Sequence, residues 1–148
     1  ELLNLYSNDP NYIIILKPHP VKDATLIYEE IIKKHSAKNC FIKTENILEL
    51  VQLSDLLISV ESSTIIDAII FGKMVIEITF DDSSWMDPQI AKNILILSDI
   101  ENLEINIEKI LSDTNLQKLL HKEQEKFLLE HYNFPNIDID ETLSNAIN

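Results

Sequence analysis

Two short segments hold the side chains best suited to chemistry. The first is Lys17-Pro18-His19-Pro20, where flanking prolines stiffen the turn and fix the direction of an imidazole beside an ammonium group. His19 can donate to a phosphate oxygen or act as an acid, and Lys17 adds positive charge. The plain alternative is a histidine in a rigid turn next to a solvated lysine. The second segment is Glu61-Ser62-Ser63-Thr64, with Asp67 just beyond it. Three consecutive hydroxyls at a helix start, with the unpaired N–H groups and dipole of that start, suit an anion and require neither glycine nor arginine. Asp67 lies about one turn into the same helix, where its carboxylate can accept two hydrogen bonds from a ribose diol. Here too the plain alternative is structural: Ser62 or Ser63 caps the helix and Asp67 favours its first turns.

Both segments follow short apolar runs that read as buried strands. Tyr12–Leu16 is a β-branched run stopped by the two prolines, and Asp55–Val60 leads into the serines. Between them the pattern predicts a helix capped by Asp23 and reaching His35, with Ala24, Ile27, Tyr28, Ile31 and His35 on one stripe. A second strand at Cys40–Lys43 and a short helix at Asn46–Leu53 follow. Ser62–Phe71 reads as a helix stopped at Gly72, the chain's single glycine, and Met74–Thr79 and Ile94–Leu97 as two further strands. Phe80–Asn93 shows no clear period and reads as a long loop on the edge where open α/β sheets bind ligands. Three helical patterns close the chain: Leu103, Ile107, Ile110 and Leu111; then Leu116, Leu119, Leu120 and Phe127; then a weaker one over Ile137–Ile147. Solid apolar strands alternating with helices predict a doubly wound α/β fold, a mainly parallel sheet with helices on both faces. Residues 1–148 are expected to form one such domain, and because the first residue is Glu1, a piece of a longer protein.

Composition narrows the chemistry further. The 148 residues carry 12 basic against 25 acidic side chains, net −13, and every basic residue is lysine. Without clustered basic residues a nucleic-acid backbone is a poor partner, and without arginine there is no bidentate phosphate clamp. One glycine excludes both a P-loop and a Gly-x-Gly-x-x-Gly fingerprint. One cysteine, Cys40, excludes an internal disulfide and a cysteine-rich zinc site, which suits a reducing compartment. Cys40 opens an apolar strand and reads as packing.

The two segments together resemble a known family. Lys-Pro-His-Pro after a strand, then Ser-Asp-Leu-Leu-Ile-Ser-x-x-Ser-Ser-Thr-x-x-Asp-Ala, then Gly-Lys-x-Val-Ile, is similar to the C-terminal half of GT-B glycosyltransferases. The enzymes concerned build capsule, lipopolysaccharide and teichoic acid, and include bacterial sialyltransferases and CDP-glycerol glycerophosphotransferases. The likeness covers roughly Tyr12 to Asp82. It implies a Rossmann-like half of a GT-B fold that binds a CMP-, CDP- or UDP-linked donor and requires no cofactor. The implied partners are that donor, a polysaccharide or glycan acceptor and an N-terminal GT-B domain; the implied location is cytoplasmic, at the inner membrane face in the full-length protein. By the same resemblance His19 stabilises the departing nucleotide, with Lys17 beside it. Ser62, Ser63 and Thr64 hold phosphate, Asp67 holds the ribose, and Lys43, Thr44 and Glu45 lie beside the base. The chain departs from the family pattern at three positions. Met74 replaces the proline usual after Gly-Lys, Asp67 stands where many relatives have glutamate, and Glu61 sits where a small residue or tyrosine is common.

Other readings differ in class. A UDP-sugar 2-epimerase shares the architecture and a serine-rich helix start, but usually has a Ser-Gly-Gly-type run and arginines that this chain lacks. A non-catalytic α/β module would use the serines only as caps. Asp81, Asp82 and Asp87 could gather a metal, though a solvated acidic loop explains them as well, and no metal site is expected. Trp85 could stack on a base or sugar, or simply bury its indole. His35, His121 and His131 fall within helical patterns, at the surface or at face edges.

Overall fold

The computed structural model describes residues 2–19, 25–80 and 84–132. The chain divides into two compact units, Glu1–Leu50 and Val51–Asn148. Both are α/β, with short parallel strands flanked by helices.

The first unit contains α1 (Leu2–Tyr6), β1 (Ile14–Leu16), α2 (Thr25–His35) and β2 (Cys40–Ile42), and α3 (Ile47–Leu53) begins at its end. β1 and β2 pair in parallel, with Ile14 opposite Cys40 and Leu16 opposite Ile42. Asn39 organises the loop before β1: its amide donates to the carbonyls of Tyr6, Asp9 and Tyr12 at 2.8, 3.0 and 2.9 Å. The core is small. Leu3, Ala37 and Cys40 are buried, and Ile14, Leu16 and Ile32 pack against them.

Helix α2 is present, but its inward face is only in part the expected one, keeping Tyr28 and His35 but not Ile27 or Ile31. Ile27 is 59% exposed and Ile31 38%, while Ile32 joins the core. Tyr28, Ile32 and His35 are half-buried at i, i+4 and i+7. Two adjacent stripes of this helix are both apolar, so periodicity alone could not choose between them. Asp23, the expected cap, lies outside the described residues.

The second unit contains β3 (Leu56–Ser59), α4 (Thr64–Ile70), β4 (Met74–Ile78), α5 (Pro88–Ile94), β5 (Ile96–Ser98), α6 (Leu103–Ser112) and α7 (Thr114–Tyr132). Its three strands are parallel, in the order β3-β4-β5. Four successive residues of β4, Met74 to Glu77, are buried. Successive strand residues point to opposite faces, so both faces of the central strand are covered. Helices α4, α6 and α7 pack against this strand, and Ile65 and Ile69 of α4, Leu103 and Ile110 of α6 and Gln124 of α7 are buried. Gly72 closes α4 with φ of 62°, the left-handed turn that its missing Cβ permits. Gln124 of α7 is buried, and its amide donates to the carbonyls of Ile94 at 2.8 Å and Lys73 at 3.3 Å.

Two expectations are corrected here. Among the described residues the five strands lie in two hydrogen-bonded sheets, not one continuous sheet. And Phe80–Asn93 is not loop throughout, since Pro88–Ile94 is a helix and β5 consequently starts at Ile96 instead of Ile94. Asp87 caps that helix, its carboxylate accepting from Gln89 N at 2.8 Å, with Pro88 at the first position. The Ile137–Ile147 pattern lies outside the described residues.

Candidate functional site

In each unit the chemically equipped residues follow the C-terminal ends of parallel strands. In the first unit, Lys17 comes directly after β1 and Lys43 directly after β2. Parallel pairing brings these two exits side by side, and Lys43 N donates to Leu16 O at 3.0 Å. Lys17 Nζ then donates to Thr44 O at 3.1 Å, tying the two loops together. Lys43 Nζ pairs with Glu45 Oε1 at 3.1 Å in an exposed ion pair. Hydrogen bonding from the Glu45 backbone, then from the Lys43 ammonium, holds the Glu45 carboxyl below its usual range. Pro18 is buried while His19 is exposed, so the buried proline fixes a turn that presents the imidazole outward. Lys17, His19, Lys43, Thr44 and Glu45 are thus gathered at one edge of a two-stranded sheet. Pro20 lies outside the described residues.

In the second unit, β3 ends at Ser59 and α4 starts at Thr64. The tight connection puts Glu61 at φ 41°, in the left-handed region that a side chain with a Cβ disfavours. Glu61 and Ser63 are exposed, and Ser62 and Thr64 half-buried. Not all the amides here are unpaired. Thr64 N donates to Ser62 Oγ at 3.3 Å, Ile65 N to Ser62 O at 3.1 Å and Ile66 N to Ser63 O at 3.0 Å. Ser63 occupies the cap position without a side-chain cap hydrogen bond. A ligand's phosphate would therefore meet hydroxyls here more than free helix amides. Asp67 is half-buried in the first turn of α4.

No protein-family model matches the chain, and no curated protein or solved structure matches it significantly. The site must therefore be argued from its own chemistry.

One participant escaped the sequence reading. Glu77, in the middle of an apolar strand, is fully buried. Its Oε2 accepts from Ser84 Oγ at 2.5 Å and its Oε1 from Trp85 N at 2.7 Å. A lone carboxylate inside Met-Val-Ile-Glu-Ile was the available signal, because a charge in a central strand needs partners. Asp87 is engaged as a helix cap, and Asp81 and Asp82 lie outside the described residues. Among the described residues, no group of three or more His, Cys, Asp or Glu is placed to hold a metal ion. Two clefts of the second unit, one between α5 and α7 and one beside β5, are lined by none of the candidate residues. No helix among the described residues is long and apolar enough to cross a membrane.

Proposed function

We propose that this chain is the donor-nucleotide-binding half of a GT-B transferase, a Rossmann-like domain serving transfer of a sugar or a glycerol phosphate to a bacterial surface polysaccharide. The observation that carries the reading is positional. Lys17, His19, Lys43, Thr44, Glu45, Ser62 and Ser63 each lie past the C-terminal end of a parallel strand of their own unit, and Thr64 and Asp67 lie in the helix that follows β3. That edge is where open α/β sheets bind ligands. On this reading the hydroxyls of Ser62, Ser63 and Thr64 take phosphate and Asp67 takes the ribose diol. His19 and Lys17 supply the hydrogen-bond donation and positive charge that a departing nucleotide phosphate requires. Lys43, Thr44 and Glu45 serve recognition of the base. The acceptor and the general base belong to the N-terminal GT-B domain of the full-length enzyme. That enzyme would work on the cytoplasmic side, at the inner face of the membrane.

The reading predicts weak but selective nucleotide binding by this chain and no turnover. Calorimetric titration with CMP, CDP, UDP, GDP and ADP tests it. One nucleotide should bind best, and Asp67→Ala should weaken that nucleotide about tenfold, the cost of a charged hydrogen bond of roughly 1.5 kcal/mol.

A second reading has its own observation. Ser62 Oγ accepts from Thr64 N, as a serine that serves only to close the turn before its helix would. A non-catalytic module of this kind would bind none of the five nucleotides in an Asp67-dependent way.

A further inference from the structure

Glu77 is the buried acidic group that the proposed chemistry leaves unused. It sits in β4, opposite Ser59 of β3 and Leu97 of β5, with no exposed surface. Taking a carboxylate out of water costs free energy that an aliphatic side chain would not. Here the carboxylate reaches forward to residues well beyond its own strand. Both oxygens act as acceptors, one for Ser84 Oγ and one for Trp85 N, so a segment seven and eight residues later is fastened to the strand. Ser84 Oγ also accepts from Met86 N at 3.4 Å, extending the fastening by one residue.

The position of this anchor matters. Glu77 is the penultimate residue of β4, and its register partner Ser59 is the last of β3. Neighbouring strands are about 4.8 Å apart, so Ser84 and Trp85 are tied to the edge from which Ser62, Ser63 and Thr64 also emerge. Trp85 has its backbone pinned and yet its residue surface is 38% exposed. A partly exposed indole on a backbone fastened in this way offers an apolar ring at a polar edge. Such a face suits stacking by a planar ring, and stacking tolerates different bases because every base has a π-face.

We infer that Glu77 is a positioning residue that holds Trp85 as the stacking surface for the nucleobase of the ligand. The inference rests on the nucleotide-binding reading above and adds to it a residue pair that carries the base. Because Trp85 is the chain's only tryptophan, its emission reports this one position.

The test uses the 148-residue chain with CMP, CDP and UDP as probes, following Trp85 emission and calorimetric affinity in parallel. The expected result is saturable quenching whose midpoint matches the calorimetric one. Trp85→Leu should weaken the same nucleotide by about 5- to 140-fold, the range of base–aromatic stacking, and Trp85→Phe by much less. Glu77→Ala should leave Trp85 more accessible to acrylamide and reduce the nucleotide-dependent quench. Glu77→Gln keeps an acceptor for Trp85 N and should preserve most of both signals. If Glu77→Ala fails to fold, Glu77→Gln and Trp85→Leu decide the matter. Calorimetric binding with unmoved Trp85 emission and unchanged affinity in Trp85→Leu would overturn this inference and leave the nucleotide reading standing. Absence of binding by calorimetry would overturn both.

Discussion

Glu45 shows how an exposed side chain can still be fixed by its neighbours. Its carboxyl is held below the usual range first by hydrogen bonding from its own backbone, then by Lys43. A lowered folded-state value means that the ionised form is favoured by folding. The associated stabilisation is present above the ordinary carboxylate range and is lost as pH falls through the folded value. Carboxyl carbon NMR should therefore show Glu45 titrating below the ordinary glutamate range. Lys43→Ala should recover only part of the difference, because the backbone contribution comes first. At Cys40 the direction is reversed: burial pushes the thiol up, as suits a residue packed in the first unit's core. Residue types were legible wherever local chemistry decides the outcome. That Lys17 would directly follow a strand, and that a helix would start within Ser62–Thr64, needed only their neighbours in sequence. Glu77 was missed because its meaning depends on Ser84 and Trp85, which lie seven and eight residues away and reach it only once β4 is in the sheet.

At the scale of elements, helix α5 has the clearest local cause. Asp87 accepts from Gln89 N, and Pro88 supplies a preset φ at the first helical position. Asp87→Ala should cost about 1 kcal/mol, a typical cap loss, readable as a lower urea midpoint with unchanged slope. The Asp-Pro pair was present in the sequence, but the helix it starts has only seven residues, too few for a hydrophobic period to stand out against the loop before it. Strands β1 to β4 were legible because short apolar runs are bounded by prolines, polar residues or glycine. The inward face of α2 was legible only in part, since Ile27, Ile31 and Ile32 allow two adjacent apolar stripes and only tertiary packing selects Ile32. The C-terminal stop of α4 at Gly72 followed from a single residue type.

At the scale of the whole molecule, the two units differ in what holds them together. In the first, among the described residues, β1 and β2 form a two-stranded sheet, each hydrogen-bonded on one side. In the second, β4 is hydrogen-bonded on both sides and covered on both faces, and the fully buried side chains include Ile65, Ile69, Val75, Ile76, Ile94 and Ile110. Local opening free energy follows this difference. Amide hydrogen exchange should be slowest in Val75–Glu77 and faster by orders of magnitude in Ile14–Leu16; equal protection in both would contradict the account. Excess acid is also uneven: Glu1–Leu50 has 7 acidic residues against 6 lysines, and Val51–Asn148 has 18 against 6. That field works against any anion approaching the second unit, so a phosphate there depends on short-range hydrogen bonds at Ser62–Thr64, and binding should be weak. Alternation of strands and helices made the α/β class readable, whereas the division into two sheets depends on which strands pair, and periodicity does not report pairing. The most direct test of the central claim is an amide NMR shift map of the 148-residue chain titrated with its preferred nucleotide. The account predicts shifts at Ser62–Asp67, at Lys17–His19 and at Lys43–Glu45, with those at Ser62–Asp67 lost in Asp67→Ala. A map without shifts at millimolar nucleotide, or one unchanged by Asp67→Ala, would contradict it.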